Sequence, residues 1–173
     1  PLAAKRLIGF VPDSHEMYER LTGLEYLNFM ADIYGVDAAA RKAHMEKYLA
    51  LFELEDAAGD QIRSYSRGMK QKLTIIGALI HQPPVWILDE PMVGLDPHAI
   101  KELKNLFREQ KAQGAALLIS THMIDSVEDY WDVTHIMMNG RFAATQYNRP
   151  EELQTRSLED LFFAITEGGK ETP

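Results

Sequence analysis

The run Val85-Trp86-Ile87-Leu88, closed by Asp89-Glu90-Pro91, constrains this chain more than any other stretch of its sequence. Four apolar residues in succession cannot alternate between core and water. They therefore predict a short strand covered on both faces, as in a parallel sheet layered with helices. Ala115-Ala116-Leu117-Leu118-Ile119-Ser120 is a second run of the same kind. Between the two, Asp96-Pro97 supplies a cap and a proline at the first helical position. Ile100, Leu103 and Phe107 then recur on one side until Gly114. Val133 to Met138 predicts a third strand, and Asn139-Gly140 a tight hairpin turn into Arg141 to Thr145. A helix is predicted around Asp125 to Trp131, between the second and third strands.

The first half has a different texture. Arg6 to Val11 predicts one strand, ended by Pro12. Thr22-Gly23-Leu24-Glu25 has the form of a capping box, and the helix it opens runs through Leu24, Leu27, Met30 and Ile33 to Gly35. Asp37 caps a second helix through Phe52. Ser66 caps a third, with Met69, Leu73, Ile76 and Ile80 on one face and Pro83-Pro84 beyond its end. Ser157-Leu158-Glu159-Asp160 opens a last amphipathic helix carrying Leu161, Phe162 and Ile165. A helical lobe beside a strand-helix-strand half reads as an α/β fold with a mostly parallel sheet.

Composition removes whole classes of function. The 173 residues carry 18 Lys and Arg against 26 Asp and Glu, a formal charge of −8. That balance disfavours sequence-independent binding to nucleic acid. With no cysteine, neither a disulfide scaffold nor a thiolate metal site is available. No apolar run reaches the length of a membrane-spanning helix.

Chemistry concentrates at strand ends and helix starts. Carboxylates at the carboxyl end of a buried parallel strand lie in the crevice where α/β folds bind ligands. Asp89 and Glu90 can there divide the holding of a hydrated Mg²⁺ from the polarising of a water. Ser66-Arg67-Gly68-Met69-Lys70 opens a helix whose free N–H groups suit a phosphate. Gly94-Leu95-Asp96 follows the acidic pair, and Ser120-Thr121-His122 ends the next strand. Gly9-Phe10-Val11-Pro12-Asp13 brings a further carboxylate to the end of the first strand. Taken singly, each has an ordinary structural reading as a turn, a cap or a strand end. The other histidines, His15, His44, His81, His98 and His135, read as surface or loop residues. Asp125, Glu128, Asp129 and Asp132 read as one solvated face, and Trp86 and Trp131 as packing residues.

In this order and spacing the motifs resemble the ATP-binding subunit of ABC transporters, across nearly the whole chain. The resemblance implies a P-loop NTPase (RecA-like) core with an α-helical subdomain. Residues 1–22 would be the Q-loop strand and loop, 23–81 the helical subdomain with its signature motif, and 82–173 the Walker B, D-loop and H-loop core with a C-terminal helix. It assigns Asp89 to the Walker B aspartate, holding Mg²⁺ through water, and Glu90 to the catalytic glutamate. His122 becomes the switch histidine and Asp96 the D-loop aspartate. Ser66 and Gly68 become the signature residues that bind the nucleotide of an opposite subunit. ATP and Mg²⁺ are the implied cofactors. A second nucleotide-binding subunit and transmembrane permease subunits are the implied partners, and the cytoplasmic face of the membrane is the implied location. The short signature and the Leu158 to Thr166 helix resemble multidrug or ABC-2-type exporters.

Three departures qualify the resemblance. No Gly-x-x-x-x-Gly-Lys-Ser/Thr loop occurs anywhere in the chain. The sequence therefore reads as the C-terminal two thirds of such a domain, expected on its own neither to hold ATP tightly nor to hydrolyse it. Asp13 stands where the family has its Q-loop glutamine; it can ligate Mg²⁺ but cannot donate a hydrogen bond as an amide does. Arg67 and Met69 replace a Gly and the Gln of the usual signature. A truncated, non-catalytic interaction module and a soluble ABC ATPase outside transport are the alternative readings.

Overall fold

Two caps set the helical lobe. In the computed structural model, which describes residues 1–14, 16–127, 130–148 and 157–168, Thr22 Oγ1 accepts the Glu25 N–H while Glu25 returns a bond to the Thr22 N–H. The reciprocal box starts the helix Gly23–Tyr34, and Gly35 ends it at φ 69°. A short helix, α1 (Leu2–Lys5), precedes it, so Gly23–Tyr34 is α2. Asp37 accepts the N–H groups of Ala39 and Ala40 to open α3 (Ala38–Leu51). Each such cap is worth about 1 kcal/mol. Ser66 opens α4 (Arg67–Leu79) in the same way, and Asp96 opens α5 (Pro97–Ala112) with Pro97 at its start.

The periodicity of α4 predicted one apolar face, but residues 71–80 are buried without exception. Helix α4 is enclosed by α2, α3 and the sheet, so its polar residues Gln71, Lys72 and Thr74 are buried as well.

That sheet has three parallel strands, β1 (Ile8–Val11), β2 (Val85–Asp89) and β3 (Ala116–Ser120), with β2 in the centre. The strand read from Arg6 starts only at Ile8, because Arg6 and Leu7 belong to the turn that follows α1. Gly9, Val11, Trp86 and Leu88 face inward and are buried. A side chain at position 9 would meet Pro83 at 2.6 Å and the Ala78 carbonyl at 2.7 Å, so only glycine lets the end of α4 lie this close to β1. Trp86 packs edge-on against Phe107 of α5, centroids 6.0 Å apart, and its indole N–H donates to Pro83 O (2.9 Å).

The other face differs from the reading of fully covered strands. Phe10, Ile87 and Leu118 stand in register across the three strands, with Phe10 54% and Leu118 64% exposed. Strand β3, read as buried, is a half-exposed edge. Both helices that flank β2 in sequence serve the same face, so the pleat gives one covered and one open side.

Those elements form a compact unit, Pro1–Thr121; a second unit follows, His122–Pro173. In the second, β4 (Val133–Met138) does not extend the parallel sheet but pairs antiparallel with β5 (Arg141–Tyr147). Asn139 and Gly140 both have positive φ, 49° and 74°, which suits the tight hairpin and gives β4 a partner next to it in sequence. The helix expected over Asp125 to Trp131 lies partly outside the described residues, which leave out Glu128 and Asp129, as they do His15; a 3-10 turn stands at Ile124–Ser126. Trp131 is buried, and its carbonyl accepts Asn148 Nδ2 (2.7 Å). Helix α6 (Leu158–Gly168) begins under a Ser157 cap, with Ser157 Oγ accepting the Asp160 N–H.

Candidate active site

At the carboxyl end of β2, parallel register sets Asp89 opposite Ser120. Ser120 Oγ donates to Asp89 Oδ1 at 2.5 Å. The Glu90 N–H donates to Ser120 O (2.9 Å), which continues the ladder one residue past the strand. Glu90 then turns the chain at φ 46°, a left-handed conformation that side chains rarely adopt. Thr121 Oγ1 donates to Glu90 Oε2 (3.0 Å). Two hydroxyls from the end of β3 thus orient the two adjacent carboxylates. Asp89 is exposed and Glu90 half-buried, so both lie within reach of solvent.

Beyond Glu90, the segment 91–96 lies on the first turns of α4. Gln71 Nε2 donates to Pro91 O (2.9 Å). Gly68 sits so close to the loop that a Cβ there would meet Gly94 O at 2.7 Å. Gly94 itself turns at φ 81°, with the Arg67 side chain alongside. Lys72 Nζ reaches Asp96 Oδ2 at 2.7 Å, while Asp96 Oδ1 accepts the Ala99 N–H at 2.9 Å. The Lys72 ammonium and then that amide hold the Asp96 carboxyl down at about 2.

Ser66 Oγ accepts the Met69 N–H (3.2 Å) and is exposed, as is Arg67. Arg67, Lys70, Tyr65 and Asp13 line one open cleft of about 370 Å³. Lys70 is also paired with Glu19 at 2.6 Å, and this partner lowers the Glu19 carboxyl below its ordinary range. His122 is exposed at the start of the second unit. Within the first unit the fold therefore gathers two groups. Asp89 and Glu90 stand with the hydroxyls of Ser120 and Thr121; Ser66, Gly68, Asp96 and Asp13 stand around the first turns of α4.

Sequence reasoning missed the partners. In the sequence Ser120 and Thr121 stand out only as neighbours of His122, although parallel register sets Ser120 opposite Asp89 and so brings Thr121 to Glu90. Gln71 and Lys72 looked like the polar side of an amphipathic helix. Residues 71–80 are all buried, so these two polar side chains need partners inside the fold. His81, read as a surface or loop residue, lies half-buried in the turn after α4, and its ring stacks on Tyr34, centroids 3.6 Å apart and planes 2° from parallel. Burial pushes His81 down to about 4, opposed in part by the Ile8 backbone. His44 Nδ1 donates to Ile80 O (2.8 Å). Among the described residues no three His, Asp or Glu side chains converge to hold a metal ion, and no helix is long and apolar enough to cross a membrane.

The family model described as "AAA domain, putative AbiEii toxin, Type IV TA system" matches residues 10–124. Among solved structures, an ATP-binding subunit of an ABC transporter is 36% identical, superimposes with a TM-score of 0.88, and is matched over 96% of this chain and 71% of its own length. An ATP-binding cassette solved as a dimer with ADP and Pi has a TM-score of 0.73 at 24% identity over 84% of this chain and 65% of its own, which shows the fold alone. Among curated proteins, the ABC-type transporter ATP-binding protein EcsA of Bacillus subtilis (strain 168) is 32% identical over 161 residues, 91% of this chain; the chain spans 65% of that relative's length. With an α/β architecture built on a parallel sheet and a carboxylate pair at its central strand's end, the chain carries an AAA domain and belongs to the ATP-binding proteins of ABC transporters.

Proposed function

We propose that the chain is the larger part of an ATP-hydrolysing subunit that powers transport through a membrane partner. The observation that carries this reading is the paired acids at the end of a central parallel strand, each oriented by a hydroxyl of the neighbouring strand. Glu90 Oε is the base that accepts a proton from the attacking water. Asp89, exposed and oriented by Ser120, suits a hydrated Mg²⁺, which keeps most of its waters and takes only one or two protein carboxylates. Bound Mg²⁺ would supply charge stabilisation at the phosphates. The chain contains no phosphate loop, so the cradle for the β- and γ-phosphates would come from residues outside it.

Ser66, exposed, and Gly68, half-buried, open α4, and the start of a helix leaves backbone N–H groups without intrahelical partners. Their task is a phosphate bound on a second copy or a homologous subunit, in a head-to-tail pair. His122 would contact the γ-phosphate, Asp13 would approach Mg²⁺, and Asp96 would align the two sites. Residues 23–81 would form the helical subdomain and receive permease subunits at the cytoplasmic face of the membrane.

Glu90→Gln in the full-length subunit tests the reading. The amide keeps the shape and the Thr121 contact but accepts no proton. Phosphate release should fall by about 100-fold or more, while ATP binding persists and ATP-bound dimers accumulate. Turnover within a few-fold of the unaltered subunit would remove Glu90 from the mechanism.

A further inference from the structure

The segment between the acidic pair and α5 is held by α4 at four points along two helical turns. Gln71 takes the Pro91 carbonyl, Gly68 abuts the Gly94 carbonyl, Arg67 lies along Gly94, and Lys72 takes Asp96. Lys72 is the unusual member. Its side chain is only 11% exposed, and a buried ammonium is costly without a partner. Both oxygens of the acid it meets are engaged: Oδ1 accepts from Ala99 and Oδ2 from Lys72. The carboxylate is thereby fixed between α4 and the start of α5.

We infer that Lys72 is a positioning residue, which holds the loop 91–96 through Asp96 so that this loop and the first turns of α4 are presented to a second subunit as one rigid element. Asp96 then serves the interface from inside its own subunit. The loop leaves Glu90 directly, and its turn is closed by the Val93 N–H on Glu90 O and the Leu95 N–H on Met92 O. A displacement of Asp96 therefore reaches the backbone of Glu90 through six residues with little slack. The inference deepens the proposed function, since rigidity here matters only if the surface meets a partner.

Two arms test it, and they fail separately. In the 173-residue chain, hydrogen exchange of the Val93, Leu95 and Ala99 amides should speed up by about tenfold or more in Lys72→Met. The mid-helix amides of Leu27 and Leu103 should not change, and Lys72→Arg should restore protection. Asp96→Asn, which keeps a good cap on α5 but loses the charge, should loosen Val93 and Leu95 alone, and it serves if Lys72→Met does not fold. In the full-length subunit, Lys72→Met should lower maximal turnover about tenfold to a hundredfold with the KM for ATP nearly unchanged, and Lys72→Arg should recover it. Unaltered exchange in both Lys72→Met and Asp96→Asn overturns the inference whatever the activity. Loosened exchange with normal turnover overturns the coupling to catalysis. Loosened exchange in a chain whose unaltered full-length form hydrolyses no ATP retains the latch and removes the proposed function.

Discussion

The two ends of α4 are fixed by different physics. At its start, charge and polar atoms tie it down: the Ser66 cap, the Gln71 bond to Pro91, and the Lys72 pair with Asp96. At its end, ring faces do the work. Tyr26 lies against Gly77, where a Cβ would meet the ring at 2.8 Å, and His81 stacks on Tyr34. Tyr26 is desolvated enough that its hydroxyl is pushed up to about 12. The first end faces outward and can tolerate water; the second is part of the core. Helix α4 is thus anchored in the fold at one end and offers a structured surface at the other.

The sharpest way to break that contrast is to overfill the anchored end. Gly77→Val places two methyl groups into the Tyr26 ring and should cost about 2–3 kcal/mol. Denaturant unfolding of the purified chain measures it directly. A loss below about 0.5 kcal/mol would mean that the ring moves aside and that the anchor is softer than described.

Acid sharpens the same contrast. Folded His81 has a pKa near 4, against an ordinary 6.5. Above pH 6.5 both folded and unfolded chains hold it neutral, so it carries no penalty. As the pH falls from 6.5 toward 4 the unfolded chain takes up a proton that the folded chain refuses, and stability declines. The lowered carboxyls of Glu19, Asp37 and Asp96 have ordinary values of 4.5 or less, so their contribution is lost only at lower pH. His81→Phe keeps a ring on Tyr34 and should flatten the unfolding midpoint between pH 6.5 and 5. An unchanged slope would show that His81 titrates as an exposed imidazole.

The smallest effect belongs to the outward end. Ser66→Ala removes one cap bond and should cost about 1 kcal/mol in the same unfolding measurement. In the full-length subunit its effect on dimer-dependent hydrolysis should exceed what that destabilisation explains. A loss of 3 kcal/mol or general unfolding would make Ser66 a fold residue, and the two ends would no longer differ.

Much of this was legible in the sequence because it depends on neighbours in the chain. The caps at Thr22, Asp37, Ser66, Asp96 and Ser157 need only three or four residues, and all five form. The Asn139-Gly140 hairpin is equally local. The carboxylates at the end of Val85 to Leu88 were legible for the same reason, since an apolar run that stops at acids marks a strand edge. What sequence could not supply was set by distant packing. Lys72 and Gln71 are polar at positions that look solvated until the loop 91–96 arrives twenty residues later. His81 gives no hint of its ring stack, which depends on Tyr34 in another helix. Nor does apolar content alone show which face α4 and α5 cover: Phe10, Ile87 and Leu118 stand in register on the other face, where Phe10 and Leu118 are exposed.

Glu90 adopts φ 46°, where a residue with a Cβ gives up about 1–2 kcal/mol that glycine would not. Random mutation followed by selection for thermal resistance would therefore favour Glu90→Gly, and the winners would have discarded the carboxylate on which the proposed chemistry rests. Stability and turnover pull this one position in opposite directions. A lineage that keeps glutamate there records which of the two its cells have been unable to lose.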